Sequence, residues 1–272
     1  MLKKSKSIGK YALLSIFLLF SIFPFYWMVI GATNESSSMF AYPPNFSLGT
    51  KIIENFTNLD SSIGITRVLI NSLVVSLITL VLSLSISTMC AYALSKFKFK
   101  GANLLLGVLL VAQMIPMQTK VVPLFSLMVN LDLLNSYFAL IAPNLVYPLG
   151  ILLLKQSFEA MPEVILESAR LDGASEFYIF WKIVLPPMKP SLVSAAILIF
   201  MNSWNNFMWP LVATTSSDMY TFPVALSSLS SATYTDFGQM MMGLSIATIP
   251  IVIFFLVLQK HFISGMLGSA VK

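Results

Sequence analysis

Residues 162–186 read PEVILESARLDGASEFYIFWKIVLP, between apolar runs on either side. The stretch cannot itself cross a bilayer, because Glu163, Glu167, Arg170, Asp172, Glu176 and Lys182 would each enter hydrocarbon at a cost of roughly 2.5 to 3.5 kcal/mol. It nevertheless has the marks of structure. Pro162 suits a first helical position, Glu163 and Glu167 lie toward the positive end of a helix dipole, and the small residues Ser168 and Ala169 follow. Gly173 breaks that helix. A second short helix starts at Ser175 and carries Phe177, Phe180, Trp181 and Val184 at i, i+3, i+4 and i+7 as an apolar stripe, until Pro186 and Pro187 stop it. The expectation is two short helices meeting at a glycine elbow outside the lipid.

The flanking chain supplies the lipid-facing part. At 57% hydrophobic and 10% charged residues with mean hydropathy +0.85, the 272 residues are far more apolar than a soluble domain, which carries about 25% charged residues. Lys3, Lys4, Lys6 and Lys10 precede the first apolar run, which is longer than the core of a secretory signal and is followed by no small-x-small cleavage site, so it reads as an uncleaved span. The polar segment 33–66, with Pro43 and Pro44, reads as an external loop holding a short surface helix. Roughly six spans are expected, over about 11–32, 68–94, 103–125, 136–155, 191–211 and 241–258, in one transmembrane domain covering 1–272. Pro116, Pro123, Pro143 and Pro148 imply kinks that neighbouring helices tolerate.

Lysine and arginine placement sets the orientation. Lys3, Lys4, Lys6, Lys10, Lys96, Lys98, Lys100, Lys155, Arg170, Lys182, Lys189, Lys260 and Lys272 fall on one side, against Lys51, Arg67 and Lys120 on the other. Thirteen against three puts both termini and the 162–186 stretch in the cytoplasm. The same distribution explains the net charge of +5 without nucleic acid as a partner, since the basic residues are scattered among short segments.

Few residues offer chemistry. The chain has no Walker-type glycine-lysine loop, no Ser/His/Asp constellation and no paired intramembrane carboxylates, so it is not expected to be an enzyme or to hydrolyse ATP by itself. The single Cys90 forms no internal disulfide and reads as packing; no Cys/His spacing suits a metal. His261 reads as a solvated interfacial residue, and Met240, Met241 and Met242 as lipid or packing contacts. Asn202, Asn205 and Asn206, with Asn144 and Gln113, are amides in otherwise apolar runs. Such groups either line a wet path or bond between helices, and both readings stay open.

Glu167, Ser168, Ala169, Asp172, Gly173, Ile183, Leu185 and Pro186 together resemble the EAA signature of the membrane-spanning permeases of bacterial ABC importers, with Ser168 in place of the usual alanine. NSWNNFMWPL at 202–211, Thr221-Phe222-Pro223-Val224 and the terminal HFISGMLGSAVK at 261–272 are similar to patterns of the maltose-type, MalG-like carbohydrate permeases, with Ser269 where glycine is usual. The resemblance implies an all-α membrane protein of the type I ABC importer (MetI-like) fold, in the bacterial cell membrane. It implies a half of a sugar or oligosaccharide translocation pathway, with Glu167 through Pro186 docking an ABC ATPase dimer that uses ATP and Mg²⁺. This chain would bind no cofactor. The implied partners are a homologous second permease, an extracytoplasmic solute-binding protein and the lipid bilayer. An ABC permease for polyamine, phosphate or peptide is the alternative, and a secondary transporter or channel the rival from another class.

Overall fold

The computed structural model describes residues 2–230 and 235–270, without the side chains of 2–8 and 261–270. The side-chain readings of Lys3, Lys4, Lys6, His261 and the terminal motif therefore lie outside what is described, as does Lys272 altogether.

Among the described residues the regular structure is helical apart from one antiparallel bridge, Ser230 to Thr235. In chain order the helices are α1 (Leu2–Thr33), α2 (Ile52–Ile63), α3 (Ile65–Lys96), α4 (Ala102–Met114), α5 (Met117–Asn130), α6 (Tyr137–Ile141) and α7 (Pro148–Glu159). There follow α8 (Glu163–Leu171), α9 (Glu176–Tyr178), α10 (Lys189–Trp204), α11 (Met208–Ala213), α12 (Phe222–Ser228) and α13 (Phe237–Ala270). Segments of α1, α3 and α13 are long and apolar enough to cross a membrane alone, and the count reaches six if each bent helix pair is one span.

The bends have local causes. Ile115, before Pro116, is driven to extended backbone (φ −70°, ψ 119°), as a proline ring requires of the residue before it. The helix breaks there completely, so the single kinked pass expected over 103–125 is two short helices, α4 and α5, at 99°. The pass expected over 136–155 begins at Ser136, whose hydroxyl accepts the Ala139 N–H at 3.2 Å, bends by 44° at the break between Asn144 and Pro148, and ends at Glu159.

The pass expected over 191–211 ends early, at Trp204. Pro210 has no N–H to give the carbonyl of Asn206 and its ring would clash there, so one continuous helix through 211 is excluded. Asn205 and Asn206 consequently lie on the elbow before α11, outside the span in which the sequence places them. Their own N–H groups bond to the carbonyls of Met201 and Ser203.

By packing, the chain divides into two compact units, 1–66 with 225–250, and 67–224 with 251–272. In the first, α2 is the surface helix of the expected external loop. Its buried Asn55 donates to the carbonyls of Ala32 and Asn34, each at 2.9 Å, while Leu59 is fully enclosed. Asp236 caps α13: its carboxylate accepts the Gln239 N–H at 3.2 Å and the Ser36 hydroxyl. Met241 lies against Gly31, and Met242 is buried.

The second unit is organised on α3. Its buried face carries Ser72, Ser76, Thr79, Ser83 and Ser87, small residues at helical spacing that allow close packing of neighbours. Gly150 of α7 comes close to this face, since a Cβ there would lie 3.6 Å from Ser87 Oγ. Cys90 packs, half-buried, beside the same core.

Candidate functional site

Two places gather the residues singled out by the sequence. At the first, α8 is closed by Gly173, two residues past its end, which adopts φ +80°. The Gly173 N–H bonds to the carbonyl of Arg170 and the Ala174 N–H to that of Ala169, both at 3.0 Å. This is the paired closure in which a left-handed residue satisfies the last carbonyls of a helix and reverses the chain, a conformation glycine adopts without a side-chain penalty. Ser175 then caps α9, accepting the Tyr178 N–H at 3.3 Å. Arg170 spans the elbow to Glu176 with Nε–Oε1 2.6 Å and a second bond at 3.3 Å, holding the two arms at one angle.

The second arm differs from its expected form. Over Ile179–Val184 the helix widens to i+5 bonding, with the Leu185 N–H reaching the Phe180 carbonyl at 3.0 Å. The extra residue per turn rotates the apolar stripe. Ile179, Phe180 and Val184 face inward, while Phe177 and Trp181, expected on the same stripe, are exposed.

Of the signature residues, Glu167, Ser168, Asp172, Gly173 and Pro186 lie on the outside, whereas Ala169 is buried and Ile183 and Leu185 are half-buried. Ser168 returns its hydroxyl to the Val164 carbonyl at 2.8 Å, so serine fits at this position without an unmet donor. The inner face of the elbow, Leu166, Ala169, Ile179, Phe180 and Val184, shares one core with Tyr92 of α3, Leu154 and Phe158 of α7 and Ala195 of α10. Lys96 adds a bond from its ammonium to the Met161 carbonyl at 2.8 Å. The outer face leaves Val164, Phe177, Tyr178, Trp181 and Leu171, itself 90% exposed, uncovered around an open hollow at Asp172, Gly173 and Tyr178. Large apolar groups exposed together between charged ones mark an interaction surface.

The second place is a cavity of about 580 Å³ that Gln113, Asn144, Asn202, Asn205 and Asn206 all line. The breaks bring them together: Gln113 precedes the α4–α5 bend, Asn144 sits in the α6–α7 turn, Asn202 is in the last turn of α10, and Asn205 and Asn206 follow it. Asn206 donates to Asn144 at 3.4 Å, and Asn144 donates to the Leu140 carbonyl at 2.9 Å. Lys120, Tyr147 and Phe207, not singled out in the sequence as site residues, line it too, among apolar neighbours.

Sequence reasoning also missed Asn71. Fully buried on α3, it donates to the carbonyls of Asp218 and Tyr220 at 2.8 and 3.0 Å and accepts the Tyr137 hydroxyl at 2.6 Å, fastening the 216–221 segment. It was visible as one more amide in an apolar run. The hydroxyl stripe of α3 was likewise visible as a 4-3-4-4 spacing.

The chain was compared with known proteins. Residues 83–268 match the family model described as binding-protein-dependent transport system inner membrane component. The arabinooligosaccharides transport system permease protein AraQ of Bacillus subtilis (strain 168) is 37% identical over 98% of this chain and 97% of its own length. The lactose transport system permease protein LacG of Rhizobium radiobacter is 33% identical over the same shares. The sn-glycerol-3-phosphate transport system permease protein UgpE of Yersinia pestis is 29% identical over 94% of each. A crystal structure of a bacterial ABC transporter involved in the import of the acidic polysaccharide alginate contains a chain that superposes with TM-score 0.79 over 95% of this one, at 22% identity, which shows a shared fold. An all-helical chain with bent spans, an exposed glycine elbow and relatives of this similarity over nearly its whole length is a multi-pass inner-membrane protein, and it belongs to the binding-protein-dependent transport system inner membrane component family.

Proposed function

We propose that this chain is one of two transmembrane subunits of an ATP-driven carbohydrate importer, lining half of the solute path and receiving its drive through the 162–186 elbow. The observation that carries the reading is the two-faced elbow: an exposed apolar and acidic outer surface, and an inner surface sharing one core with α3, α7 and α10. A partner that seats on the outer face and moves must move those helices too, since packed cores shift as units rather than deform. That partner is an ATPase dimer, which binds the ATP and Mg²⁺. Its closure biases the spans between inward-open and outward-open arrangements. The thirteen-to-three charge distribution supports placing the elbow and both termini in the cytoplasm.

The polar cavity is the proposed solute contact. Amides flanked by Tyr147 and Phe207 suit a sugar, whose hydroxyls bond to amides and whose carbon faces lie on aromatic rings. Relatives named for arabinooligosaccharides and lactose support carbohydrate as the cargo. Lys120 at the lining, together with the relative named for sn-glycerol-3-phosphate, favours a phosphorylated polyol as the second reading.

The test is uptake by the complex reconstituted with its second permease, ATPase and binding protein. ATP-dependent accumulation of a labelled oligosaccharide, with labelled glycerol phosphate excluded, is the expected result. Accumulation of glycerol phosphate alone would replace the first reading with the second, and uptake without ATP would overturn both.

A further inference from the structure

Asn144 and Asn206 also line a second and much smaller cavity, which admits the centre of a water-sized sphere over about 10 Å³. That is room for one water molecule, which needs two to four polar partners to be held in a protein interior. The lining supplies them in Ser72, Ser76, Asn144, Ser203, Asn206 and Thr221. Ser76 and Thr221 are 1% and 4% exposed, and neither hydroxyl has a hydrogen-bond partner among the described residues. Ser72 accepts the Phe222 N–H at 2.6 Å, leaving its own proton for a further bond. Hydroxyls so deeply buried are costly unless bonded, and here two of them belong to residues that line one space of the right size, closed on its apolar side by Val75, Leu140, Trp204 and Pro210.

We infer that this space is a binding site for a single water, held by Ser76 Oγ and Thr221 Oγ1 and bonded onward to the Asn144–Asn206 pair. Both amides line the large cavity as well, so the water fixes groups that the large cavity presents. Ser76 and Thr221 are thus positioning residues. This gives a role to Thr221, the threonine that opens the Thr-x-Pro motif: valine would fill its volume, but only a hydroxyl completes the shell of the water. The water site stands on the geometry alone; its consequence for transport rests on the large cavity being the solute path.

The experiment is a high-resolution structure of the assembled importer, with the same complex carrying Ser76→Ala, Thr221→Val or Thr221→Ser. Expected are a density peak within about 2.6–3.2 Å of both hydroxyls, its loss in Ser76→Ala and Thr221→Val, and its retention in Thr221→Ser. The apparent melting temperature falls by about 2–4 °C in each hydroxyl-free variant, and by less than the sum in the double variant, because both lose the same water. Absence of density in the wild type, or a melting temperature that rises when a hydroxyl is removed, as it would from a dry space, overturns the inference. Density that behaves as expected while Thr221→Val leaves sugar uptake kinetics unchanged upholds the water site and counts against the large cavity as the solute path.

Discussion

The ring of Phe180, in the second arm of the elbow, lies 5.0 Å from that of Tyr92 near the end of α3, centroid to centroid. Tyr92 in turn meets Phe158 of α7 at 5.6 Å, edge to face. Three rings from three segments therefore form one packed contact, the route by which the proposed displacement of the elbow would reach α3 and α7. Ring pairs of this kind hold by shape and quadrupole as well as by burial.

Phe180→Leu keeps much of the volume and leaves the importer assembled, but loosens the contact. The expected outcome is ATP hydrolysis that persists while sugar moved per ATP falls, measured side by side in proteoliposomes. Phe180→Ala removes most of a buried ring at a cost of about 3–5 kcal/mol and lowers the abundance of the inserted protein. Wild-type coupling in Phe180→Leu would show that drive enters elsewhere.

Gly173 carries φ +80°, and a Cβ there would meet nothing within 4 Å, so the penalty for a side chain is conformational, about 1–2 kcal/mol. Gly173→Val, and Glu167→Lys on the exposed face of α8, should insert at normal abundance yet copurify less ATPase. Normal copurification together with wild-type transport in both variants would strip the elbow of its proposed role.

Asn205 is exposed at the end of α10 and lines the large cavity. Asn205→Leu should raise the KM for sugar uptake several-fold without loss of complex on size-exclusion chromatography. Unchanged kinetics would argue that the amide does not touch solute.

Burial raises the proton affinity of the Asp236 carboxyl, but the Ser36 hydroxyl and the donors of Gln239 and Gly238 more than offset it, holding the group below its ordinary value. A depressed folded value stabilises above the unfolded pKa of about 3.9 and is lost as pH falls through the folded one. Asp236→Ala should cost about 1 kcal/mol near neutral pH by removing the cap of α13. Its melting temperature and that of the wild type should converge below about pH 4. A gap that stays the same on acidification would mean that the charge of the carboxylate contributes nothing.

Orientation can be checked apart from transport. A reporter active only in the cytoplasm should work when fused after Lys100 or Pro187 and fail after Lys51 or Ser217. The reverse pattern would invert the proposed topology.

The sequence alone determined that the chain is a helical membrane protein, that 162–186 carries too many charges to read as a span, and that its two arms turn at Gly173. These depend on local quantities: the cost of charge in hydrocarbon, helix punctuation and the preference of glycine for positive φ. It also singled out Gln113, Asn144, Asn202, Asn205 and Asn206, because an amide in an apolar run is conspicuous wherever it ends up. Only the tertiary structure decided that these five residues, more than ninety positions apart at the extremes, line one cavity. Proline placement predicted bends but not their size, since whether a chain kinks or breaks depends on what else can satisfy the freed backbone groups. The stripe Phe177, Phe180, Trp181 and Val184 was divided between inside and outside by one widened turn, which no periodicity encodes. The spacing of Ser72, Ser76, Thr79, Ser83 and Ser87 lay in the sequence throughout. That it is the buried face of α3, and that Ser76 shares a water-sized space with Thr221, follows from long-range packing, because a hydroxyl is read as buried only once the helices around it are in place.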